Sequence, residues 1–272
     1  MSLDGRTFVI TGAARGIGAA TARVAASRGA AVVVSDILDD VGQQTVEAIR
    51  SAGGRAEFVH CDVTSATEVR ALMSAAADAF GGIDVLHNNA GVHESMITEA
   101  TSLDTMTEET FSRILDINLT SAFRCSKAAL PYLRASARLG RGPSIVNAGS
   151  IAGWVGTIPG IAYGSAKAGI GLLTKNLAVD LAGDGIRVNC YSPAAIETEM
   201  VADVVAAAPD PAAVMKTLVG THLVRRIGTP DDVAKLVCFL ASDDATFING
   251  VVWLIDGGSL AWRGTLDVLG LD

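Results

Sequence analysis

Cysteine, basic charge and long apolar runs are all in short supply here, and each shortage removes a class of function. The four cysteines, Cys61, Cys125, Cys190 and Cys238, are widely scattered, and no CxxC or other metal-ligand spacing joins them. They read as reduced thiols in or near a core, with no disulfide, redox or metal duty. Lysine and arginine total 21 against 29 acidic residues, a formal net charge of −8. Phosphate backbones and anionic bilayers are held by basic patches, so neither nucleic acid nor membrane is an expected partner. No apolar stretch reaches the roughly 20 residues that span a bilayer. Met1–Arg6 runs straight into a strand-like segment, without a basic region leading to an apolar one, and a cytoplasmic location is the expectation.

What is present is ample apolar material. Half of the 272 residues are hydrophobic and 18% are charged. Short β-branched runs alternate with longer stretches of helical period. Thr7–Thr11, Ala31–Asp36, Ala56–Cys61, Ile83–Asn88, Ser144–Ala148, Arg187–Tyr191 and Val251–Asp256 read as strands. Several are apolar throughout, as in a parallel sheet covered on both faces. Helices are expected over Ile17–Arg28, Asp39–Ala52, Ala66–Phe80, Glu108–Ala137, Ala162–Ala182 and Asp231–Ala241. This alternation predicts an α/β fold: a Rossmann-like, doubly wound parallel sheet of about seven strands. No repeat or polar linker divides the chain, so residues 1–272 are expected to form one dinucleotide-binding and catalytic domain. Residues 197–229, with Pro209 and Pro211, break the strand–helix rhythm and read as a substrate lid.

The first strand leads into Thr11-Gly12-Ala13-Ala14-Arg15-Gly16-Ile17-Gly18, and a helix follows at once. Gly12 permits a tight turn, Gly16 a close backbone approach to a pyrophosphate, and Gly18 tight packing of helix on strand. The helix N-terminus offers free N–H groups to the anion. Glycines alone signal little; between the first strand and helix of a βαβ unit they signal a dinucleotide. The second strand ends at Asp36. A carboxylate there accepts bonds from the adenosine ribose hydroxyls and repels a 2′-phosphate. Two unit charges about 4 Å apart interact by about 4 kcal/mol at an effective dielectric near 20. NAD is therefore expected over NADP, with Arg15 as the one feature pulling the other way.

Tyr163 and Lys167 lie four residues apart, on one helical face. A phenol has a reference pKa of about 10. A neighbouring ammonium and an oxidised nicotinamide both favour its phenolate, which can then take a proton from a substrate hydroxyl. Ser150 follows the Ser144–Ala148 strand at the carboxyl edge of the sheet, where its hydroxyl can hold the substrate oxygen. Asn88-Asn89-Ala90-Gly91 closes another strand at the same edge. Asn118 interrupts an otherwise apolar helical face.

On these residues, together with Asp62-Val63, Ser192-Pro193, Thr198 and Ile255-Asp256-Gly257-Gly258, the sequence resembles the short-chain dehydrogenase/reductase family over nearly its whole length. The resemblance implies a catalytic tetrad of Asn118, Ser150, Tyr163 and Lys167. Asn118 would hold a water linking Lys167 to a proton relay, and Lys167 would also grip the nicotinamide ribose. Asp62 and Val63 would flank the adenine, and Thr198 would reach the nicotinamide carboxamide or the diphosphate. Cofactor contacts are thus expected at Gly12, Arg15, Gly16, Ile17, Gly18, Asp36, Ile37, Asp62, Val63, Asn89, Ala90, Gly91, Tyr163, Lys167, Pro193, Ile196 and Thr198. Two positions depart from the family's habit: Ala194 follows Pro193 where glycine is usual, and Gly149 precedes Ser150 where serine is frequent.

The substrate cleft is expected among Val92–Ser95, Ile151–Trp154, Ile158, Ala194–Ile196 and the lid, with His93, Ile151, Trp154, Ala194, Ala195 and Met200 as contacts. That mostly apolar set suits a moderately hydrophobic secondary alcohol or ketone, cyclic ones included. His93 and Glu94 follow the Asn-Ala-Gly turn within reach of a polar substituent, and a solvent-exposed loop role is the favoured reading of each. The apolar tail, residues 259–272, is expected to pack across a subunit boundary or on its own subunit. The two longest helices resemble those the family pairs between subunits, which implies a homotetramer or dimer. A 3-oxoacyl-thioester reductase using NADPH is the competing enzyme, and a non-catalytic cofactor sensor the competing class. Asp36 speaks against the first and the complete tetrad against the second. A sugar-nucleotide epimerase would show a different glycine spacing.

Overall fold

A computed structural model of the chain describes residues 2–206, 208–262 and 264. Seven strands, β1 (Thr7–Thr11), β2 (Ala31–Asp36), β3 (Arg55–His60), β4 (Val85–Asn88), β5 (Ser144–Ala148), β6 (Arg187–Pro193) and β7 (Val252–Ile255), form one sheet. Its order is β3-β2-β1-β4-β5-β6-β7, and every pairing is parallel. The expected Rossmann-like α/β architecture is what the chain adopts.

The all-apolar strands follow from coverage on both faces. Phe8, Ile10, Val32 and Val34 point to one layer, while Val9, Val33, Leu86 and Ile145 point to the other. The first layer is closed by α1 (Gly16–Ser27) and later by α9 (Pro230–Leu240), which pack on each other. Between β2 and β3 runs α2 (Asp39–Ser51), and α3 (Ala66–Phe80) follows β3. Ser65 caps α3, its hydroxyl accepting from the Glu68 N–H, and Thr229 with Asp232 forms a reciprocal capping box on α9. All four cysteines are free and buried. No described helix is long and apolar enough to cross a membrane.

The segment read as a single helix over Glu108–Ala137 is three pieces: α4 (Glu108–Leu115), one wide π turn over Asp116–Thr120, and α5 (Ser121–Arg138). Asn118 sits in that turn, and its side-chain amide donates to the Ile114 carbonyl at 3.0 Å. A regular helix would give that carbonyl to the backbone N–H of residue 118, so the side chain competes with the backbone and the turn widens. The other boundaries move by one or two residues, as helix and strand ends do. After β5 comes α6 (Ile161–Asp180).

The irregular 197–229 stretch folds as α7 (Glu199–Ala206) and α8 (Pro211–Gly220). Its two ends are stitched together: Glu197 N–H donates to the Gly228 carbonyl at 2.8 Å, and Gly228 N–H to the Ala195 carbonyl at 2.9 Å. Within the tail, Trp262 donates its indole N–H to the Thr221 carbonyl of its own chain at 3.4 Å. The rest of that expectation, carried by Leu266, Val268, Leu269 and Leu271, lies outside the described residues.

Gly18 is the tightest joint between α1 and the sheet. A Cβ there would lie 2.3 Å from the Gly12 carbonyl oxygen and 2.8 Å from Ala13 Cα. Backbone on both sides leaves no flexible neighbour to yield. Gly18→Ala is expected to lower the unfolding free energy by about 1–3 kcal/mol, read from urea melts.

Candidate active site

β1 and β4 are neighbours in the sheet although they are not consecutive in sequence, and connections leave them to opposite sides. A crevice opens at their carboxyl ends. Its floor is backbone on backbone. Gly12 takes φ +63° and Gly16 φ +59°, values that favour glycine. A Cβ at Gly12 would stand 2.7 Å from Ala90 Cα. Asn89 locks the two loops: its amide donates to the Thr11 and Gly12 carbonyls at 3.0 and 2.8 Å. The Thr11 hydroxyl accepts from the Asn89 and Ala90 N–H groups, each at 3.1 Å.

A dinucleotide fits this cradle on three observations. At Gly16 a Cβ would reach only the Thr198 and Glu199 side chains, at 3.4 and 3.6 Å, so its absence leaves backbone bare to the crevice. The N-cap of α1, Arg15, makes no side-chain cap, and no acid lies in its first turn, so its N–H groups suit a diphosphate. Asp36 ends β2 in the wall, its carboxylate held by the N–H groups of Ile37 (2.8 Å), Leu38 (3.2 Å) and Ala14 (3.0 Å). Asp62 is set by a turn of its own, accepting from the Thr64 N–H and hydroxyl at 2.8 Å each.

Farther along the same edge, α6 presents Tyr163 and Lys167. Lys167 is buried, and its ammonium donates to the Ala148 carbonyl at 3.0 Å and lies 5.4 Å from the centre of the Tyr163 ring. Burial pulls the Lys167 pKa down to about 8, slightly opposed by the neighbouring Cys190 sulfur. Tyr163 moves in the opposite direction to Lys167. In the protein chain itself, burial raises the phenol pKa, and a hydrogen bond with Ser150 only partly offsets it. Desolvation penalises the charged phenolate, and that penalty exceeds what the Ser150 hydrogen bond returns. Ser150 also caps a short turn over Ile151–Gly153, its hydroxyl accepting from the Ala152 N–H at 3.2 Å.

One cavity of about 540 Å³ runs along this edge. Its wall includes Ser150, Tyr163, Lys167 and every expected cofactor residue except Gly18, which lies beneath the floor. Asn118 stands behind Gly91, where a Cβ would come 2.7 Å from the Asn118 Oδ1 and 3.3 Å from the Lys167 Nζ. Its carboxamide accepts from the Val92 N–H at 3.2 Å and donates to the Val92 carbonyl at 2.9 Å. The side chain thus clamps the loop leaving the Asn-Ala-Gly turn.

The expected substrate contacts divide between the cavity wall and its surroundings. Ala194 and Met200 line the cavity; His93, Ile151, Trp154 and Ala195 do not. The His93 ring turns onto Tyr163, centres 5.0 Å apart, and its Nδ1 pairs with Ser95. Trp154 donates its indole N–H to the Ser192 hydroxyl at 3.2 Å. Ile151 opens the turn behind Ser150, and the Ala195 carbonyl belongs to the stitch below α7. Ile158 is wholly exposed. Gly149 departs from serine because Ser192 is already there: a Cβ would fall 2.6 Å from the Ser192 Oγ. Thr198, Glu199, Met200 and Val201 bring the start of α7 into the wall.

Several wall residues escaped sequence reasoning: Met96, Arg113, Asp116, Ile117 and Tyr191. The Tyr191 hydroxyl lies 3.0 Å from the Nε2 of buried His87 and donates to the Asn89 Oδ1 at 3.3 Å. Glu94 is fully buried rather than solvated. Its signal was the helix start at Gly160, a residue with no side chain to cap it. Among the described residues no cluster of three or more His, Cys, Asp or Glu could hold a metal.

A parallel sheet with a glycine cradle at its switch point and a Tyr/Lys/Ser group beside it defines a nucleotide-linked oxidoreductase architecture. The chain belongs to the short-chain dehydrogenase/reductase family. The family profile described as "Enoyl-(Acyl carrier protein) reductase" matches residues 12–259. The chain is 41% identical over 256 residues to a cis-4-hydroxycyclohexanecarboxylate dehydrogenase from Sinomonas cyclohexanicum, covering 94% of this chain and 97% of that one. It is 37% identical to an L-fucose dehydrogenase of Oryctolagus cuniculus (94% and 85% covered). It is 34% identical to a cyclohexanol dehydrogenase of Acinetobacter sp. strain SE19 (93% and 94%).

Lys167 yields a stability test. Its folded pKa is about 8 against the ordinary 10.5. Between those values the unfolded chain holds a proton that the folded chain has released, so stability rises with pH through this window. Below it the buried charge is a cost. Lys167→Met is expected to flatten this arm of the curve of unfolding free energy against pH.

Proposed function

We propose that the protein is an NAD-linked dehydrogenase of moderately hydrophobic secondary alcohols, cyclic ones foremost, working reversibly on the corresponding ketones. The observation that carries this reading is one cavity holding Ser150, Tyr163 and Lys167 at one end and Asp36 at the other. Two of the relatives are named for six-membered-ring alcohols, and Val92, Met96, Ala194, Met200 and Val201 give the wall an apolar stretch that suits such rings. Phe123 on α5 and Leu172 and Val179 on α6 are exposed apolar residues, which supports pairing of these helices in a homotetramer.

In this mechanism the Ser150 hydroxyl holds the carbinol oxygen, and Tyr163 takes its proton as the carbonyl forms. A bound nicotinamide dinucleotide supplies the hydride acceptor and, oxidised, a positive charge close by. Lys167 stabilises the phenolate and hands the proton onward, with Asn118 holding the Val92 loop that backs it. In reduction Tyr163 gives the proton to the carbonyl oxygen. Asp36 receives the adenosine ribose hydroxyls and repels a 2′-phosphate.

Burial holds the Tyr163 pKa up, and dehydrogenation needs the phenolate. The kcat/KM for alcohol oxidation is therefore expected to rise with pH, nearly tenfold per unit on the acid side, whereas ketone reduction falls at high pH. A panel of cyclic, aromatic and aliphatic alcohols, followed by nicotinamide absorbance, reads this profile. Tyr163→Phe is expected to lose about 10²–10⁴ in kcat; full turnover in that variant refutes the reading.

Asp36→Ala is expected to narrow the NAD over NADP preference by about tenfold or more, from paired kcat/KM values. A wild-type preference for NADPH and acyl thioesters would replace the alcohol reading with a thioester reductase.

A further inference from the structure

The start of α6 cannot cap itself. Its N-cap is Gly160, which has no side chain, and none can be added: a Cβ there would fall 2.2 Å from the Thr157 Oγ1 and 2.9 Å from the Thr157 carbonyl oxygen. The orphan N–H groups of the first turn need an acceptor from elsewhere. Glu94 provides it from across the site. One carboxylate oxygen accepts from the Ile161 N–H at 2.9 Å, and the other from the Ala162 and Tyr163 N–H groups at 3.0 and 2.8 Å. The carboxylate is fully buried, and three charge-assisted bonds with the positive end of a 20-residue helix offset its desolvation.

Two further contacts make this more than a cap. Glu94 lies three residues beyond Gly91, on the loop that leaves the Asn-Ala-Gly floor and is clamped at Val92 by Asn118. The preceding residue, His93, lays its ring against Tyr163 with centres 5.0 Å apart. One dipeptide therefore holds the tyrosine by its backbone and braces it by its ring, and it is anchored to the cofactor floor.

We propose that Glu94 is a positioning residue for the reaction: it fixes the Tyr163 phenol at a set distance from the nicotinamide floor, acting through the first turn of α6. The inference rests on Tyr163 being the acid/base. Misplacing a reacting group by about 1 Å costs roughly a hundredfold in rate, so the effect belongs in kcat.

Glu94→Gln keeps the volume but turns one acceptor into an amide donor facing an N–H. In the full-length enzyme with NAD, kcat is expected to fall about ten- to a hundredfold. The KM for the alcohol and the NADH dissociation constant, from fluorescence titration, are expected to stay within about threefold. Hydrogen–deuterium exchange of the Ile161–Tyr163 amides, measured without turnover, is expected to quicken about tenfold or more. If this variant is not soluble, Glu94→Asp, which keeps the charge but withdraws it by one methylene, is read the same way. A kcat within twofold of wild type overturns the proposal, whatever the exchange shows. So does a loss of NADH affinity as large as the loss of kcat, which would place Glu94 in support of the cofactor floor alone. Tyr163→Phe is run alongside: full turnover there brings down the acid/base reading itself, whereas an inactive Tyr163→Phe with an unchanged Glu94→Gln removes only the role given to Glu94.

Discussion

The site depends on one close approach, that of the Gly12 loop to the Asn89-Ala90 turn at the carboxyl ends of β1 and β4. No side chain fits between the two backbones at Gly12, and the Asn89 amide and Thr11 hydroxyl fill the hydrogen-bonding needs of both. Parallel strands that diverge here would otherwise leave unpaired carbonyls facing a crevice. With the floor fixed, the α1 N-terminus, Asp36 and Asp62 occupy set heights above it. The loop leaving the floor carries Val92, His93 and Glu94 toward α6.

A buried polar framework lies behind the wall. Asn88 donates to Asn147 at 2.8 Å, and Asn147 to Thr174 on α6 at 2.9 Å. Together with the Tyr191–His87–Asn89 contacts, these bonds tie β4, β5, β6 and α6 into one unit. Apolar packing alone tolerates sliding more readily than such a network does, because each partner moved leaves a buried group unsatisfied. Burial also sets the electrostatics. The same dry surroundings that pull the Lys167 pKa down push that of Tyr163 up, so burial is the leading cause in both.

Much of this was legible in the sequence, and the reason is locality. The glycine loop is read within eight residues, and Tyr163 and Lys167 within one helical turn. The strands announced themselves by apolar runs that only a doubly covered sheet explains. What escaped notice joins distant parts of the chain. Glu94 meets its partners more than sixty residues later, so its charge looked like that of any exposed loop. Asn118 widened a helix that periodicity drew as continuous, because a side-chain amide can take a backbone carbonyl without disturbing the apolar pattern. The partners of His93 and Trp154 are likewise remote in sequence: the His93 ring lies against Tyr163, and the Trp154 indole bonds to Ser192.

The stitch between Ala195, Glu197 and Gly228 bears on how such a fold diversifies. With both ends of the α7–α8 excursion pinned by backbone bonds, its length and composition are insulated from the sheet. Closing a longer excursion over a fixed base adds only about 0.6 kcal/mol per doubling. Insertions or exchanges in this arch can therefore reshape the Met200 side of the cavity while the β6 edge keeps its register, which makes the arch the natural place for kindred enzymes to part company in what they accept.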